Sequence, residues 1–195
     1  LLAALTSAVR GQTETILPSE NEAGPEHIYI LKNGNGVWMT SYTSPTRTEG
    51  NAGKFAFFAD EANADACFIY SVDRKKWVSY TKAASYSNGT NFAVLVDDRS
   101  AANPRKAVKA TVSGADYYQF APYTTTTVAD KYMNWYRGVG NDNPEDNTTV
   151  TVGLWQDNAS SDAGSRWAVS EVVMCTYTVS LAPGESVTIN GQTYT

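Results

Sequence analysis

One histidine, two cysteines and no apolar run of membrane-spanning length: the 195-residue chain is defined first by what it does without. With His27 as its only imidazole, no Ser–His or Cys–His couple can be assembled unless that residue serves. Zinc clusters of the usual kind are excluded for the same reason. A glycine-rich loop leading into a helix, the phosphate-cradling device, is missing too. Positive charge is also scarce. Fifteen Lys and Arg against twenty Asp and Glu give a net charge of -5. Nucleic acid is thereby disfavoured, because a binder needs a basic face to neutralise phosphates. Anionic membrane surfaces are disfavoured likewise, and no segment is long and apolar enough to predict membrane insertion. The opening LLAALTSAVRG has neither a basic lead nor a long apolar centre, so it does not read as an intact signal peptide. Glycosidase chemistry needs two facing carboxylates, and no pair stands out among the acidic residues. The reading is therefore of a non-enzyme without cofactor or metal.

Aromatic residues are what the chain has in quantity. Twelve Tyr, six Phe and five Trp, among many Thr, Ser, Asn and Gly, describe a β-rich chain with a polar surface. Cys67 and Cys175 either pair in an oxidising compartment or serve as buried apolar fillers. Sequons at Asn88, Asn147 and Asn158 matter only in a host that glycosylates.

Residues 1 to 12 predict the last turns of a helix, from the spacing of Leu2, Leu5 and Val9. PSENEAGPEH, from Pro18 to His27, then reads as a linker. After it come short alternating runs: HIYILKN, VWMTSY, KFAFFAD, ACFIYSVD, KKWVSYTK, NFAVLVDD, DYYQFAPY, KYMNWYRG, VTVGLW and SRWAVSEV. These runs repeat. Segments 28–42, 68–80 and 117–136 each place an aromatic strand before a turn and then a strand bearing Trp38, Trp77 or Trp135. A third strand follows at 55–66, 92–102 and 153–163, ending in Asp60, Asp97 or Asp157 before small residues. Units this short cannot bury their own apolar faces, so three must share one core. The expectation is an all-β chain folded as a β-trefoil of three pseudo-repeats over 26–175, with the symmetric tryptophans as a core layer. A helical scrap and linker fill 1–25. Residues 176–195 predict a hairpin fragment at Asn190-Gly191 that opens a following module.

The stretch LWQDNASSDAGSRWAV, Leu154 to Val169, carries a resemblance. It is similar to the third-to-fourth strand segment of ricin-type β-trefoil lectin repeats, whose pattern runs Leu-Trp-x-x-Asn-Gly and then Gln-x-Trp. Leu154, Trp155 and Asn158 match, Trp167 takes the place of the final Trp, and Ser165 stands where the family has Gln. The other two units keep the spacing and lose the identities. The tail resembles, more faintly, repeated modules of large bacterial surface proteins. The resemblance implies non-catalytic binding of a glycan or polysaccharide by a secreted or cell-surface module that works beside other domains of its own chain.

A sugar offers an apolar ring face fringed with hydroxyls, which suits an aromatic ring flanked by Asp and Asn. The candidate ligand-binding residues are accordingly Trp155, Gln156, Asp157 and Asn158, with Trp135 as a further platform. Turn chemistry is the competing explanation for Asp60, Asp97 and Asp98, since Asp side chains bond backbone two residues on. Asp142, Glu145 and Asp146 are oxygen donors in a long loop, but their spacing fits no ordered calcium loop. Two further readings stay open: a structural or protein-binding trefoil, and a protease inhibitor that would use loop 138–147.

Overall fold

The computed structural model describes residues 10–12, 15–82, 91–122, 131–135, 152–172, 184, 186–189 and 192–194. Among them the chain is mostly β. Thirteen strands form one large antiparallel sheet, and two more form a separate hairpin. After β1 (Arg10–Gln12), twelve strands follow in three consecutive sets of four. The first set is β2 (Tyr29–Asn33), β3 (Trp38–Met39), β4 (Pro45–Thr46) and β5 (Phe55–Asp60). The second is β6 (Asn63–Ser71), β7 (Lys76–Lys82), β8 (Asn91–Val96) and β9 (Lys106–Val112). The third is β10 (Ala115–Ala121), β11 (Tyr132–Trp135), β12 (Val152–Trp155) and β13 (Trp167–Val172). The tail hairpin is β14 (Val187–Ile189) with β15 (Gln192–Tyr194), paired antiparallel where the sequence predicts a hairpin.

In every set the two middle strands pair with each other as a hairpin. The outer strands pair around a cycle: β2 with β5, β5 with β6, β9 with β10, β10 with β13, and β13 with β2. A single bridge between Cys67 and Arg105 links β6 to the start of β9. Each set also has one 3-10 turn between its third and fourth strands, at Glu49–Asn51, Arg99–Ala101 and Ala163–Ser165. Ser113 and Gly114, both at positive φ, make the two-residue turn from β9 to β10. Such a turn matches the twist of the flanking strands.

Tyr29, Phe57, Phe120, Met133, Leu154 and Trp167 form the heart of the core, none more than 1% exposed. β5 is buried on both faces. Phe55 and Phe57 enter this core, while Ala56 and Phe58 join a second cluster with Tyr70 and Trp77. That double burial explains why FAFFAD reads as an unbroken apolar run. The three hairpins meet at Thr43, which is fully buried at φ 67. Its hydroxyl donates to the Ala93 carbonyl of β8 (3.3 Å), and its carbonyl accepts from the Val152 amide of β12 (2.7 Å). A β-branched residue in the left-handed region is strained. Contacts from both neighbouring hairpins hold it there.

Three expectations are corrected. Residues 10–12 are not helical: they form β1, paired with Ser170–Val172 of β13. The open edge of β13 offers N–H and C=O groups that a strand satisfies and a helix cannot. FAFFAD is the fourth strand of its set, not the third, which is the two-residue β4. Asp60 therefore has no positional kinship with Asp97 and Asp157. Finally, Trp38, Trp77 and Trp135 build no common layer. Trp77 lies in the second cluster, Trp38 is half-buried beneath the Lys32 ammonium at 4.1 Å, and Trp135 is half-buried. Only Trp167, at 0% exposure, is in the main core. The segment 18–27 forms no strand or helix and is anchored at one end. Ser19 is buried, its amide donates to the Phe57 carbonyl, and its hydroxyl bridges to the His27 backbone.

Candidate functional site

β11 and β12 fix the first part of the site. Tyr132 lies opposite Trp155, Met133 opposite Leu154, and Trp135 opposite Val152. Side chains alternate faces along a strand. Trp155 therefore shares a face with Tyr132 and Asn134, while Trp135 shares the other with Met133 and Leu154, both in the core. Trp135 and Trp155 are thus not brought together. The Trp135 indole nitrogen is buried with no hydrogen-bond partner among the described residues.

Trp155 to Asn158 do sit together. The Trp155 ring is half-buried, and its N–H donates to Asp157 Oδ2 at 2.9 Å. Gln156 is exposed. Asn158 is spent locally: its Oδ1 accepts from the Ser160 amide (2.9 Å) and the Ser161 amide (3.3 Å). Its carbonyl accepts from Ser161 and Asp162. Ala159 is fully buried, and its amide donates to Gln119 Oε1 (3.2 Å) on β10.

Beneath this loop lies a buried polar clamp that the sequence reading did not single out. Ser165 donates through its hydroxyl to the Asp157 carbonyl at 2.6 Å. Asn134 Nδ2 donates to Ser165 Oγ (2.9 Å) and to Asp162 Oδ2 (3.1 Å). Asp162 Oδ1 in turn accepts from the Gly164 amide at 2.6 Å, capping the 3-10 turn. Asn33 Nδ2 donates to the Gly164 carbonyl from β2. A Cβ on Gly164 would meet the Asn134 amide at 2.7 Å, so any larger residue there has to displace that side chain from the clamp. Asn33, Asn134 and Ser165 are each no more than 2% exposed. Buried polar groups of this kind cost free energy unless satisfied; here they satisfy one another and fix the loop. The sequence signal available was Ser165 itself, standing where the resembled family has glutamine.

The second set has a counterpart without the aromatic. Asp98 caps its 3-10 turn through the Ser100 amide (2.8 Å), and that bond holds its carboxyl below the ordinary range. Asn103 Oδ1 accepts from the Ser79 hydroxyl and the Tyr80 amide. Asp97 pairs on the surface with Lys76 at 3.0 Å. Asp60 accepts from the Ala62 amide. Asp60 and Asp98 are thus engaged in turn chemistry. His27 Nδ1 meets Glu171 Oε1 at 2.9 Å, fastening the start of β2 to β13. No group of three metal-ligating side chains occurs among the described residues, and no helix there is long and apolar enough to cross a membrane. Asn88, loop 138–147 with Asp142, Glu145, Asp146 and Asn147, and Cys175 lie outside the described residues.

Compared with known proteins, the chain matches no family model and no curated relative. The loop, however, carries defined chemistry. It offers a part-exposed indole, a carboxylate fixed at its edge, and a free-standing amide at Gln156. That set can cover an apolar face and bond hydroxyls. It offers no nucleophile–base couple.

Proposed function

We propose that the chain is a β-trefoil of the ricin-like kind and that its third lobe binds carbohydrate without catalysis. The trefoil reading is supported by three sets of four strands, three central hairpins converging on Thr43, and outer strands paired in a cycle. The single observation that carries the binding reading is the Trp155–Asp157 pairing at 2.9 Å on a clamped loop. The indole N–H aims the carboxylate along the ring edge, leaving Gln156 in solvent. A sugar stacked on the ring would meet acceptors already placed, which reduces the ordering cost of binding. A shallow site of this type gives millimolar affinity, about -4 kcal/mol. It gains biological effect through attachment to other domains of a secreted or cell-surface protein, or through multivalency. Trp135 is left out of this site, because its ring belongs to the opposite face.

Retention on a glycan array tests the proposal. The intact chain is expected to bind a discrete glycan class, and both Trp155→Ala and Asp157→Ala are expected to abolish binding while leaving the melting temperature within a few degrees. An array silent for the intact chain overturns the sugar reading. One observation favours the second reading, a structural or protein-binding trefoil: Asn158 spends its side chain on Ser160 and Ser161 rather than holding it for a ligand. A protease panel separates off the inhibitor reading of loop 138–147.

A further inference from the structure

The fourth strand of each set leaves the first strand after one bridged pair: Phe55 with Tyr29, Arg105 with Cys67, and Trp167 with Tyr118. Backbone groups alternate sides along an antiparallel strand. The residues two places further on, Phe57, Ala107 and Val169, therefore turn their N–H and C=O toward the same kind of widening seam.

Two of these seams are occupied by the N-terminal part of the chain. Ser19 donates its amide to the Phe57 carbonyl at 2.7 Å. Arg10–Gln12 pairs with Ser170–Val172 along β13. The third seam, between β6 and β9, holds a cavity of about 670 Å³ instead. Ala64, Ala66 and Ala107 line it, with Phe57 among its walls and Ile16 and Pro18 along one side. Asp65 and Ala107 direct backbone groups into it and have no strand partner there among the described residues. Lys106 and Lys109 line the same cavity. Each ammonium is in a surface pair, with Asp65 at 3.3 Å and Asp116 at 2.9 Å. Such exposed pairs contribute little and exchange readily for an incoming carboxylate.

We propose that the β6–β9 seam accepts an extended peptide of a partner polypeptide as an added strand, with a large apolar side chain over the alanines and an acidic residue beside Lys106, whose ammonium already lies across the seam against Asp65. The peptide form follows from how the equivalent seams are filled, by extended chain bonding through its backbone. The acidic preference follows from the Lys106 ammonium, which already pairs with a carboxylate across the seam. The inference does not depend on the sugar reading, since none of these residues belongs to the Trp155 loop.

The probe is a synthetic peptide with the sequence of residues 15–20, Thr-Ile-Leu-Pro-Ser-Glu, which runs beside the β5 seam in the chain itself. It is titrated to millimolar concentration into the intact, nitrogen-15-labelled chain. Amide shifts concentrated at Asp65–Cys67 and Lys106–Val108 are expected. Ala64→Trp, which crowds the seam from an exposed position, is expected to weaken binding tenfold or more, as is Lys106→Glu. The same peptide with lysine in place of its glutamate is expected to bind several-fold more weakly. A thermal melt of each variant confirms that it is folded. No shift at those amides overturns the proposal. Shifts confined to Ser19 and Phe57, or binding indifferent to both substitutions, overturn it equally.

Discussion

Trp167 and Arg105 occupy the same place in successive sets, each starting a fourth strand and bridged to a first strand, yet one is an indole and the other a guanidinium. Both are at most 1% exposed. Both place a donor near the third hairpin: Trp167 Nε1 donates to the Met133 carbonyl of β11 (2.9 Å) and Arg105 Nη1 to the Lys131 carbonyl just before β11 (2.8 Å), while the buried Arg105 Nε meets no hydrogen-bond partner among the described residues. Phe55, the third equivalent, has no polar tip and makes no such bond. The lesson is that the position demands volume first. A donor is tolerated where a carbonyl of the third hairpin is within reach, and Arg105 is further accommodated by lying 4.6 Å over the Tyr80 ring. Burial lowers the Arg105 pKa, while Tyr80 beside it works in the opposite direction.

Substitutions can break this comparison in order of severity. Trp167→Ala removes the largest buried side chain and its hydrogen bond, and is expected to cost ~4 kcal/mol in urea unfolding. Arg105→Ala is expected to cost ~3 kcal/mol, from lost packing and a stranded carbonyl. Arg105→Met keeps most of the stem and should recover at least half of that loss. If the methionine variant is as unstable as the alanine variant, the guanidinium rather than its volume holds the seam.

High pH probes the same region. Burial pushes the Tyr80 hydroxyl and the Cys67 thiol up to about 12 each, although Arg105 pulls Tyr80 down somewhat. In the unfolded chain both ionise earlier, near 10 and 9. Their stabilising contribution is therefore intact below pH 9 and is lost as pH climbs toward 12. Where both groups titrate, the slope approaches ~1.4 kcal/mol per pH unit for each. Denaturant melts from pH 8 to 11 should show that decline, and Cys67→Ala should remove about two thirds of it, since the thiol starts to ionise in the unfolded chain one pH unit before the phenol.

The smallest expected effect concerns the clamp. Asn134→Ala strands Ser165 and Asp162 and should cost ~1–2 kcal/mol. Its sharper signature is faster amide exchange at Asp157 and Gly164, with the β6–β9 region unchanged.

Much of the fold was legible because strands announce themselves by alternation and turn residues. The strand-rich character, the tail hairpin and the burial of Trp167 are visible in that way. β1 was not legible, because Arg10–Gln12 becomes a strand only by pairing with residues far along the chain. Nor was β4, since two residues, Pro45 and Thr46, carry no periodicity. Alternation along Val152–Trp155 puts Leu154 in the core and Trp155 on the other face. The opposite facing of Trp135 needed the register between β11 and β12, which no local pattern supplies. Asn134 and Ser165 were invisible as a clamp because small polar residues look the same in sequence whether they are buried or exposed.

The pairing of β2 with β13 has a kinetic consequence. His27 and Glu171 touch across 144 positions of sequence, so this closure has a high contact order and is intrinsically slow. During synthesis the strand edge at Tyr29–Asn33 must wait, unpaired on that side, until the last of the three sets has emerged. That interval is when the nascent chain is most exposed to aggregation, and when a chaperone would matter most to its yield.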